Sequence, residues 1–435
     1  MNTNDLLASW SALSLEEIEA RLEASTDEAA VEQLLGADET AVLRKLMKQP
    51  RARGLREAVV LLPGFMGSLL TSIRGLTTFL WINPALFLKG QCSHMELNPA
   101  GTGDRDPEIE SVPFSLEKLT YLKISIALRR QVELYEFPYD WRRPIEQNGD
   151  LLHQCLERWA GGDPGKRFTL VGHSMGGIVS RAYLARHGQA AEKRIKHVIM
   201  HGTPHFGAAG AVEGIAAGNR NLEIMQALNA NNTPRRLLLN MPSVYQLLPA
   251  PPELFPSGRA YPANWDLYAA AAWPVNGIRQ DYLDASRRFH ELLAKADPQV
   301  DVVEIAGCHL DTVVAVQRSF TPDGKPQYEL TRVGQGPDGG DGTVPLWSAI
   351  LPSARMYYIQ EVHRDLAKND QVIEATLDLI HGGTPRLPTQ LPPPKAGWFG
   401  RDVVPPPELE AKRLRSRLEQ GTASQQDLSL LHLGL

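Results

Sequence analysis

Short apolar segments alternate with longer amphipathic segments through the middle of the chain. The longer amphipathic segments, which predict helices, lie near residues 116–130, 147–160 and 175–188. Between them stand runs rich in β-branched and apolar residues, each closed by turn-forming residues, which is typical of strands covered on both faces. The six runs span residues 58–62, 132–137, 167–171, 195–200, 300–306 and 356–362. This alternation predicts an α/β fold built on a mainly parallel sheet.

The segments around this alternation divide the chain further. Residues 1–55 are typical of a polar helical extension, residues 56–383 contain the α/β domain, and residues 384–435 are Pro-rich and then charged. We expect the last region to form a peripheral tail. Within the domain, residues 207–295 carry many Ala, Asn and Pro residues and several aromatics, which predicts an inserted cap over the sheet edge. Residues 312–333 predict a β-hairpin.

Composition narrows the function classes. The formal net charge of −5 is mild for 435 residues, and no clustered basic surface of the kind that binds nucleic acid is expected. Cys92, Cys155 and Cys308 are widely spaced, which favours buried free thiols over a disulfide framework or a metal site. Residues 1–5 lack the features of a signal peptide, so we expect a cytoplasmic location. Export by a route without a signal, and contact with a membrane surface, stay open.

One motif carries nucleophile chemistry. Residues 172–177 read GHSMGG, follow an apolar run and open a helical pattern. A G-x-S-x-G sequence between a strand and a helix places its serine on a sharp turn at the carboxyl end of the strand. The helix that follows directs its N-terminus toward the negative charge that develops on a substrate carbonyl. The motif predicts an α/β-hydrolase fold with Ser174 as nucleophile.

Two backbone N–H groups are expected to bind the oxyanion. One belongs to Met175, the residue after the nucleophile. The second is expected from the loop after the first strand, where residues 63–68 read PGFMGS. Glycines in this loop allow the backbone to approach a ligand closely. We predict that Phe65 supplies the second donor.

The acid and the base should follow the nucleophile in the order Asp or Glu, then His. Asp341 lies in a Gly-rich loop after the insertion, where Asp338 competes with it for the role of acid. His363 directly follows the sixth strand, where a general base should lie. Rival histidines for the base are His290, His309 and His381. No metal or cofactor is implied by this set of residues.

With these residues in place, the chain resembles the lecithin:cholesterol acyltransferase family, which includes lysosomal phospholipase A2 and phospholipid:diacylglycerol acyltransferases. The resemblance spans about residues 58 to 380. It rests on the 63–69 loop, the PYDWR block at 138–142, the 172–177 elbow and the 340–345 loop followed by His363. It implies acyl transfer from a lipid ester, through an acyl-serine, to water or an alcohol.

The resemblance also adds candidates for substrate contact. Trp81 is similar to part of a lid segment in the family, and Tyr139 and Trp141 belong to the PYDWR block. A structural role is the alternative for that block, with packed aromatics and a buried Asp140–Arg142 pair behind the active site. Family members of animals hold the lid with a disulfide, whereas Cys92 is the one cysteine near it here.

Other functions remain open on the sequence alone. A carboxylesterase or lactonase acting on small soluble esters would use the same residues. A toxin-like phospholipase would keep the chemistry and change the biological role. A non-catalytic binding protein on the same fold is disfavoured by the intact set of Ser174, Asp341 and His363.

Overall fold

The computed structural model describes residues 3–52, 57–74, 79–394 and 405–434. Its strands are β1 (Ala58–Leu62), β2 (Ser68–Ser72), β3 (Phe79–Trp81), β4 (Ser111–Leu116), β5 (Glu133–Glu136), β6 (Phe168–His173), β7 (Ile195–His201), β8 (Asp301–Gly307), β9 (Thr312–Phe320), β10 (Pro326–Val333) and β11 (Arg355–Ile359).

Helices precede, separate and follow these strands. They are α1 (Thr3–Ala12), α2 (Leu15–Glu23), α3 (Glu28–Leu35), α4 (Ala37–Met47), α5 (Pro84–Leu88), α6 (Lys118–Gln131), α7 (Ile145–Ala160), α8 (Met175–Arg194), α9 (Ala209–Ala216), α10 (Arg220–Leu228), α11 (Pro234–Leu239), α12 (Pro242–Gln246), α13 (Gln280–Lys295), α14 (Leu346–Ala349), α15 (Asp370–Ile380), α16 (Pro407–Gln420) and α17 (Gln425–Ser429). Within the described ranges, none of these helices is both long and apolar enough to cross a membrane.

The central sheet has the strand order β11-β8-β7-β6-β1-β5, and every pairing within it is parallel. Each of the six apolar runs forms one of these strands, so the predicted α/β fold with a parallel sheet is confirmed. Parallel strands present their carboxyl ends at a common edge of the sheet. The loops that leave β1, β6 and β11 at that edge carry the oxyanion candidates, Ser174 and His363, whereas Asp341 lies in the loop after β10.

Alternation along β1 explains why helices cover both faces of the sheet. Val60 and Leu62 belong to one cluster of buried apolar side chains, together with Ile178 of α8. Val59 and Leu61 point to the opposite face and join a second cluster with side chains of α6 and α15. All five residues of β1 are buried, which matches a strand with no polar positions.

Two smaller sheets stand beside the central one. The predicted hairpin is confirmed, because β9 and β10 pair antiparallel over residues 312–333. The order β3-β2-β4 forms a three-stranded antiparallel sheet that the sequence pattern did not predict. Its strands are short, Pro113 interrupts the pattern of β4, and β2 pairs with β4 about forty residues along the chain.

The terminal regions pack against the domain. A capping box is present at the start of α2, where Ser14 and Glu17 are bonded reciprocally. At the other end, α16 packs on α10, and Leu431 and Leu433 are completely buried. The expectation of a peripheral C-terminal tail is therefore wrong for the described residues 405–434. The expectation rested on the many charged residues of α16 and took no account of the apolar residues that follow this helix.

A buried arginine connects the PYDWR block to a neighbouring loop. Arg142 is inaccessible to solvent and donates through Nε and Nη2 to the two carboxylate oxygens of Asp140, at 2.9 and 2.8 Å. Its Nη1 donates to Asp104 Oδ1 at 2.9 Å and to the carbonyl of Met95 at 3.0 Å. The Asp140–Arg142 pair expected from the sequence is present, and it holds a second carboxylate as well.

Replacement of Arg142 by Met should therefore lower the free energy of unfolding by about 3–5 kcal/mol, because two buried carboxylates lose their cation. Urea denaturation at neutral pH measures this loss. The matched control is Arg74→Met, since Arg74 pairs with Glu110 at the surface, where both side chains are about half exposed or more. The control should change stability by less than about 1 kcal/mol.

The difference between wild type and Arg142→Met should shrink in acid. Burial alone would raise the pKa of Asp140, but the charge and hydrogen bonds of Arg142 outweigh it and hold that pKa below its ordinary value. A lowered folded-state pKa gives stability that is present above the unfolded pKa and is lost as pH falls through the folded pKa. A difference that stays constant down to the acid transition would contradict this assignment.

Candidate active site

Ser174 occupies the sharp turn between β6 and α8. Its backbone has φ +53° and ψ −122°, a left-handed conformation that is costly for a residue with a side chain. The turn is held on both sides, because the Ser174 N–H donates to the carbonyl of His201 at 2.9 Å and its carbonyl accepts from Gly177 at 3.0 Å. Bonding to β7 and to α8 therefore maintains the strained serine at the end of its strand.

Two glycines allow the loop after β1 to press against this turn. A Cβ added at Gly176 would lie 2.4 Å from the carbonyl oxygen of Leu62, and one added at Gly64 would lie 2.9 Å from Cβ of Ser174. Neither distance is compatible with a side chain at these positions. The loop of residues 63–68, called the oxyanion loop below, thus meets the nucleophile backbone to backbone.

Asp341 and His363 form a close pair at the same edge of the sheet. His363 Nδ1 lies 2.7 Å from Asp341 Oδ2. The other oxygen, Oδ1, accepts from the N–H groups of Thr343 at 3.0 Å and Val344 at 2.6 Å. Because those bonds fix the carboxylate, it can orient the imidazole and stabilise its charged form. The competing Asp338 forms an ion pair with Arg259 instead.

Ser174 and His363 line one pocket of about 210 Å³, together with Phe65 of the oxyanion loop. Within the described residues, no hydrogen bond joins the hydroxyl of Ser174 to the imidazole of His363. Catalytic hydrogen bonds of unliganded enzymes are often longer than in the complex with substrate. The structure therefore brings the three predicted residues together in the chain order Ser, Asp, His.

The rival histidines lie elsewhere. His290 is buried in the inserted region, where Nε2 donates to the carbonyl of Leu248 at 3.2 Å and burial lowers its pKa to about 4. His309 Nε2 donates to the carbonyl of Pro392 at 2.6 Å. His381 ends α15 and is exposed. These positions leave His363 as the candidate base.

The predicted oxyanion donors are both free to bind a ligand. Met175 is the first residue of α8, so its N–H has no acceptor within the helix. Among the described residues, no acceptor takes the N–H of Met175 or of Phe65. The ring of Phe65 packs edge-on against Trp141, with centroids 5.1 Å apart. The oxyanion role of both amides stays a prediction.

Trp81, Tyr139 and Trp141 lie behind the oxyanion loop and not in the pocket. All three are completely buried. Trp81 Nε1 donates to the carbonyl of Met66 at 2.6 Å, the Tyr139 hydroxyl to that of Pro63 at 2.6 Å, and Trp141 Nε1 to that of Ser68 at 3.0 Å. For Tyr139 and Trp141 the geometry matches the structural alternative, and Trp81, expected in a lid, is also buried behind the loop.

Sequence reasoning missed a chain of hydrogen bonds that joins the oxyanion loop to the base. The N–H of Gly64 donates to the Tyr121 hydroxyl at 2.7 Å. That hydroxyl lies 2.7 Å from Nδ1 of His173, and Nε2 of His173 lies 2.9 Å from the carbonyl of His363. Since a carbonyl only accepts, Nε2 carries the proton of His173, and Nδ1 accepts from Tyr121.

Burial keeps this connecting histidine neutral. The pKa of His173 lies well below its ordinary value, first because it is buried and second because His363 is close. A neutral imidazole with its proton on Nε2 satisfies every partner in the chain. The position of His173 next to the nucleophile is the one signal in the sequence. Nothing in the pattern of α6 marks Tyr121.

No metal centre is evident. In the part of the chain that the structure describes, no group of three or more His, Cys, Asp and Glu side chains could hold a metal ion. Cys92, Cys155 and Cys308 are free thiols, and the first and last of them are buried. None of these three described cysteines forms a disulfide that could hold a lid.

Fold and site together define the α/β-hydrolase class. The model of the lecithin:cholesterol acyltransferase family matches residues 116–278, so the resemblance predicted from the sequence is confirmed. That match includes the PYDWR block and the Ser174 elbow. It ends before Asp341 and His363, whose assignment depends on the geometry above.

Individual relatives match over a limited stretch. Phospholipase A(1) LCAT3 from Arabidopsis thaliana is 26% identical over 135 residues, which cover 29% of this chain and 30% of that protein. The lysosomal phospholipase A and acyltransferase of Homo sapiens is 27% identical over 124 residues, 27% of this chain and 29% of that protein. The matched stretch thus spans less than a third of either relative.

Two solved structures are similar to this chain at low identity. The crystal structure of the Tle4-Tli4 complex contains a chain that is 14% identical with a TM-score of 0.48, and the match covers 75% of this chain and 98% of that one. The mature lipase BlEst2 of Bacillus licheniformis is also 14% identical, with a TM-score of 0.38 over 77% of this chain and 94% of that one.

Replacement of His363 by Ala should lower kcat/KM for any ester substrate by a factor on the order of 10⁴ or more, because triad members act as a unit. Steady-state kinetics on a chromogenic ester measure the loss. His381→Ala is the matched control, since His381 is exposed, and it should retain wild-type kinetics. Near-normal turnover in His363→Ala would remove this residue from the mechanism.

Replacement of Tyr121 by Phe should lower kcat by about 10²-fold, as expected when catalytic groups are misplaced by a fraction of an ångström to 1 Å. It leaves Gly64 N–H and His173 Nδ1 without partners and should cost about 1–3 kcal/mol of stability. Tyr245→Phe is the control, because the Tyr245 hydroxyl also has two partners, the carbonyl of Leu239 and the N–H of Arg279. It should lose similar stability and keep kcat. Equal kcat losses in both variants would assign Tyr121 a purely structural role.

Proposed function

We propose that this protein is a serine-dependent lipid acyl-ester hydrolase or O-acyltransferase that acts through an acyl-serine intermediate. The observation that carries the proposal is the single pocket shared by Ser174 and His363, with the imidazole of His363 hydrogen-bonded to the buried Asp341. The match to the lecithin:cholesterol acyltransferase family supports the acyl-ester chemistry. The names of the two curated relatives support a phospholipid substrate.

The mechanism has two steps. His363 accepts the hydroxyl proton of Ser174 as the oxygen attacks the acyl carbonyl, while Asp341 stabilises the imidazolium. The amides of Phe65 and Met175 stabilise the oxyanion. The tetrahedral intermediate then expels an alcohol or lysolipid, which takes the proton from His363, and the acyl group stays on Ser174. In the second step, water or an acceptor alcohol gives its proton to His363 as it attacks this ester. The Ser174 oxygen then leaves and takes the proton from His363, which releases the fatty acid or the new ester.

Contact with a membrane surface follows from a lipid substrate, since phospholipids are presented in bilayers. The inserted region supports this part of the proposal through its aromatic side chains. Phe255 packs against Tyr261 and against Trp347, with ring centroids 5.2 and 4.8 Å apart. Trp347 is buried, whereas Phe255 and Tyr261 of the inserted region are partly exposed, and exposed aromatic residues favour the interface between lipid and water.

A carboxylesterase acting on small soluble esters is the second candidate. The volume of the pocket favours it, because about 210 Å³ is below the roughly 300–1,000 Å³ of sites that enclose drug-sized ligands. A preference for short acyl chains in every assay format would support this candidate. Rising activity with acyl length and with liposomes would support the lipid enzyme.

Lipid mass spectrometry tests the proposal on mixed phospholipid liposomes that carry a lipid alcohol, with Ser174→Ala as the comparison. We expect free fatty acid and lysolipid from the wild type and neither from the variant, since the acyl-serine cannot form. New acylated alcohol would identify transferase activity. Unchanged lipids together with turnover of short soluble esters would contradict the lipid substrate.

A further inference from the structure

The end of the described chain lies in the pocket of the candidate active site. Residues 424–434, called the C-terminal segment below, include helix α17 and the turn after it. Ser429, His432 and Gly434 line the same pocket as Ser174 and His363. No other part of the described chain beyond residue 390 reaches that pocket. The segment therefore limits what can approach the nucleophile.

Two asparagines, separated by one residue in the inserted region, hold the segment by its backbone. Asn219 Nδ2 donates to the carbonyls of Leu433 and Gly434 at 2.8 and 2.9 Å. Asn221 Nδ2 donates to the carbonyl of His432 at 2.9 Å and to that of Ser429 at 3.5 Å. These bonds recognise main-chain atoms, and water can replace each of them on release.

The oxyanion loop contacts the C-terminal segment from the other side. The N–H of Leu433 lies 3.3 Å from Sδ of Met66. The ring of His432 stands edge-on against Trp81 with centroids 5.0 Å apart, and Nε2 of His432 is buried without a hydrogen-bond partner in the described structure. Burial lowers the pKa of His432 well below its ordinary value. The imidazole of His432 is therefore neutral and packs in apolar surroundings beside the oxyanion loop.

Three leucines are the most deeply buried side chains of the segment. Leu428, Leu431 and Leu433 are at most 1% exposed and join the main cluster of buried apolar side chains. An acyl chain beside the nucleophile requires apolar surroundings of this kind. Met66 of the oxyanion loop belongs to the same cluster, so the leucines of the segment provide apolar surroundings on that side of the pocket.

We propose that the C-terminal segment is an intramolecular occupant of the acyl-chain site and must be displaced before a long-chain substrate binds. This inference depends on the proposed function and adds a closed and an open state to it. Release is feasible because α17 has five residues, and so short a helix is not stable by itself. A lipid surface, which offers apolar surface to the released leucines, would favour the open state.

Truncation after Ala423 is the direct test, and it leaves α16 in place. The probe is a fluorophosphonate with a long alkyl chain, which labels an active serine without requiring turnover of a particular lipid. We expect the truncated protein to be labelled at least about tenfold faster in detergent-free buffer, if the open state is populated below a tenth in the full chain. A synthetic peptide of residues 424–434 should slow labelling again, in competition with the probe.

A second variant keeps the full chain in case the truncated protein does not fold. Leu431→Asn combined with Leu433→Asn weakens the apolar packing of the segment. Like the truncation, this double variant should be labelled faster than the wild type. Leu409→Asn is the matched control, since Leu409 lies on α16 and is 43% exposed. Its labelling rate should equal that of the wild type. Added phospholipid vesicles should accelerate labelling of the wild type and have little effect on the truncated protein.

The outcomes separate this inference from the proposed function. Equal labelling of wild type, truncated protein and leucine variant would overturn the inference and leave the serine hydrolase intact. Slower labelling of truncated protein with an unchanged melting temperature would also overturn it, because the segment would then be a fixed wall of the site. An absence of labelling in every form, with no ester hydrolysed, would reject the proposed function itself.

Discussion

Contact between the oxyanion loop and the nucleophile turn is the constraint on which the rest of the site depends. Gly64 and Gly176 let the two backbones meet at distances that exclude a side chain. Once they meet, the position of Ser174 and that of the proposed oxyanion donors are no longer independent. Catalysis by preorganised dipoles requires this kind of rigid relation, because donors that must reorient during the reaction lose their advantage.

Two layers of buried groups maintain that contact. Tyr121 and His173 connect the loop to the backbone of His363, so the donors and the base share one hydrogen-bonded chain. Behind the loop, Trp81, Tyr139 and Trp141 bind its carbonyl oxygens. Together with the bond from the N–H of Gly67 to the carbonyl of Gly64, these contacts fix the loop backbone that carries the proposed donor, the N–H of Phe65. Arg142 then fixes the aromatic block through ion pairs that are costly to break from one side.

What could be predicted from the sequence follows the range of the interactions involved. The parallel strands could be predicted because their apolar runs are local, and Ser174 because strand, turn and helix lie within a dozen residues. Asp341 and His363 could be nominated from their order along the chain. Tyr121, Asp104 and the sheet of β2, β3 and β4 could not, since each depends on partners about forty residues away or farther.

The C-terminal segment shows the same limit and bears on the chemistry. The N–H of its Leu433 meets Sδ of Met66, 367 residues away along the chain, and no local sequence pattern predicts such a contact. An acyl-enzyme goes to water or to an alcohol according to how well water is excluded. While a long acyl chain occupies that site, the displaced segment cannot return to it, so the bilayer would have to shield the acyl-serine from bulk solvent. The balance between hydrolysis and transfer is therefore expected to depend on the surface that meets the oxyanion loop as much as on the triad.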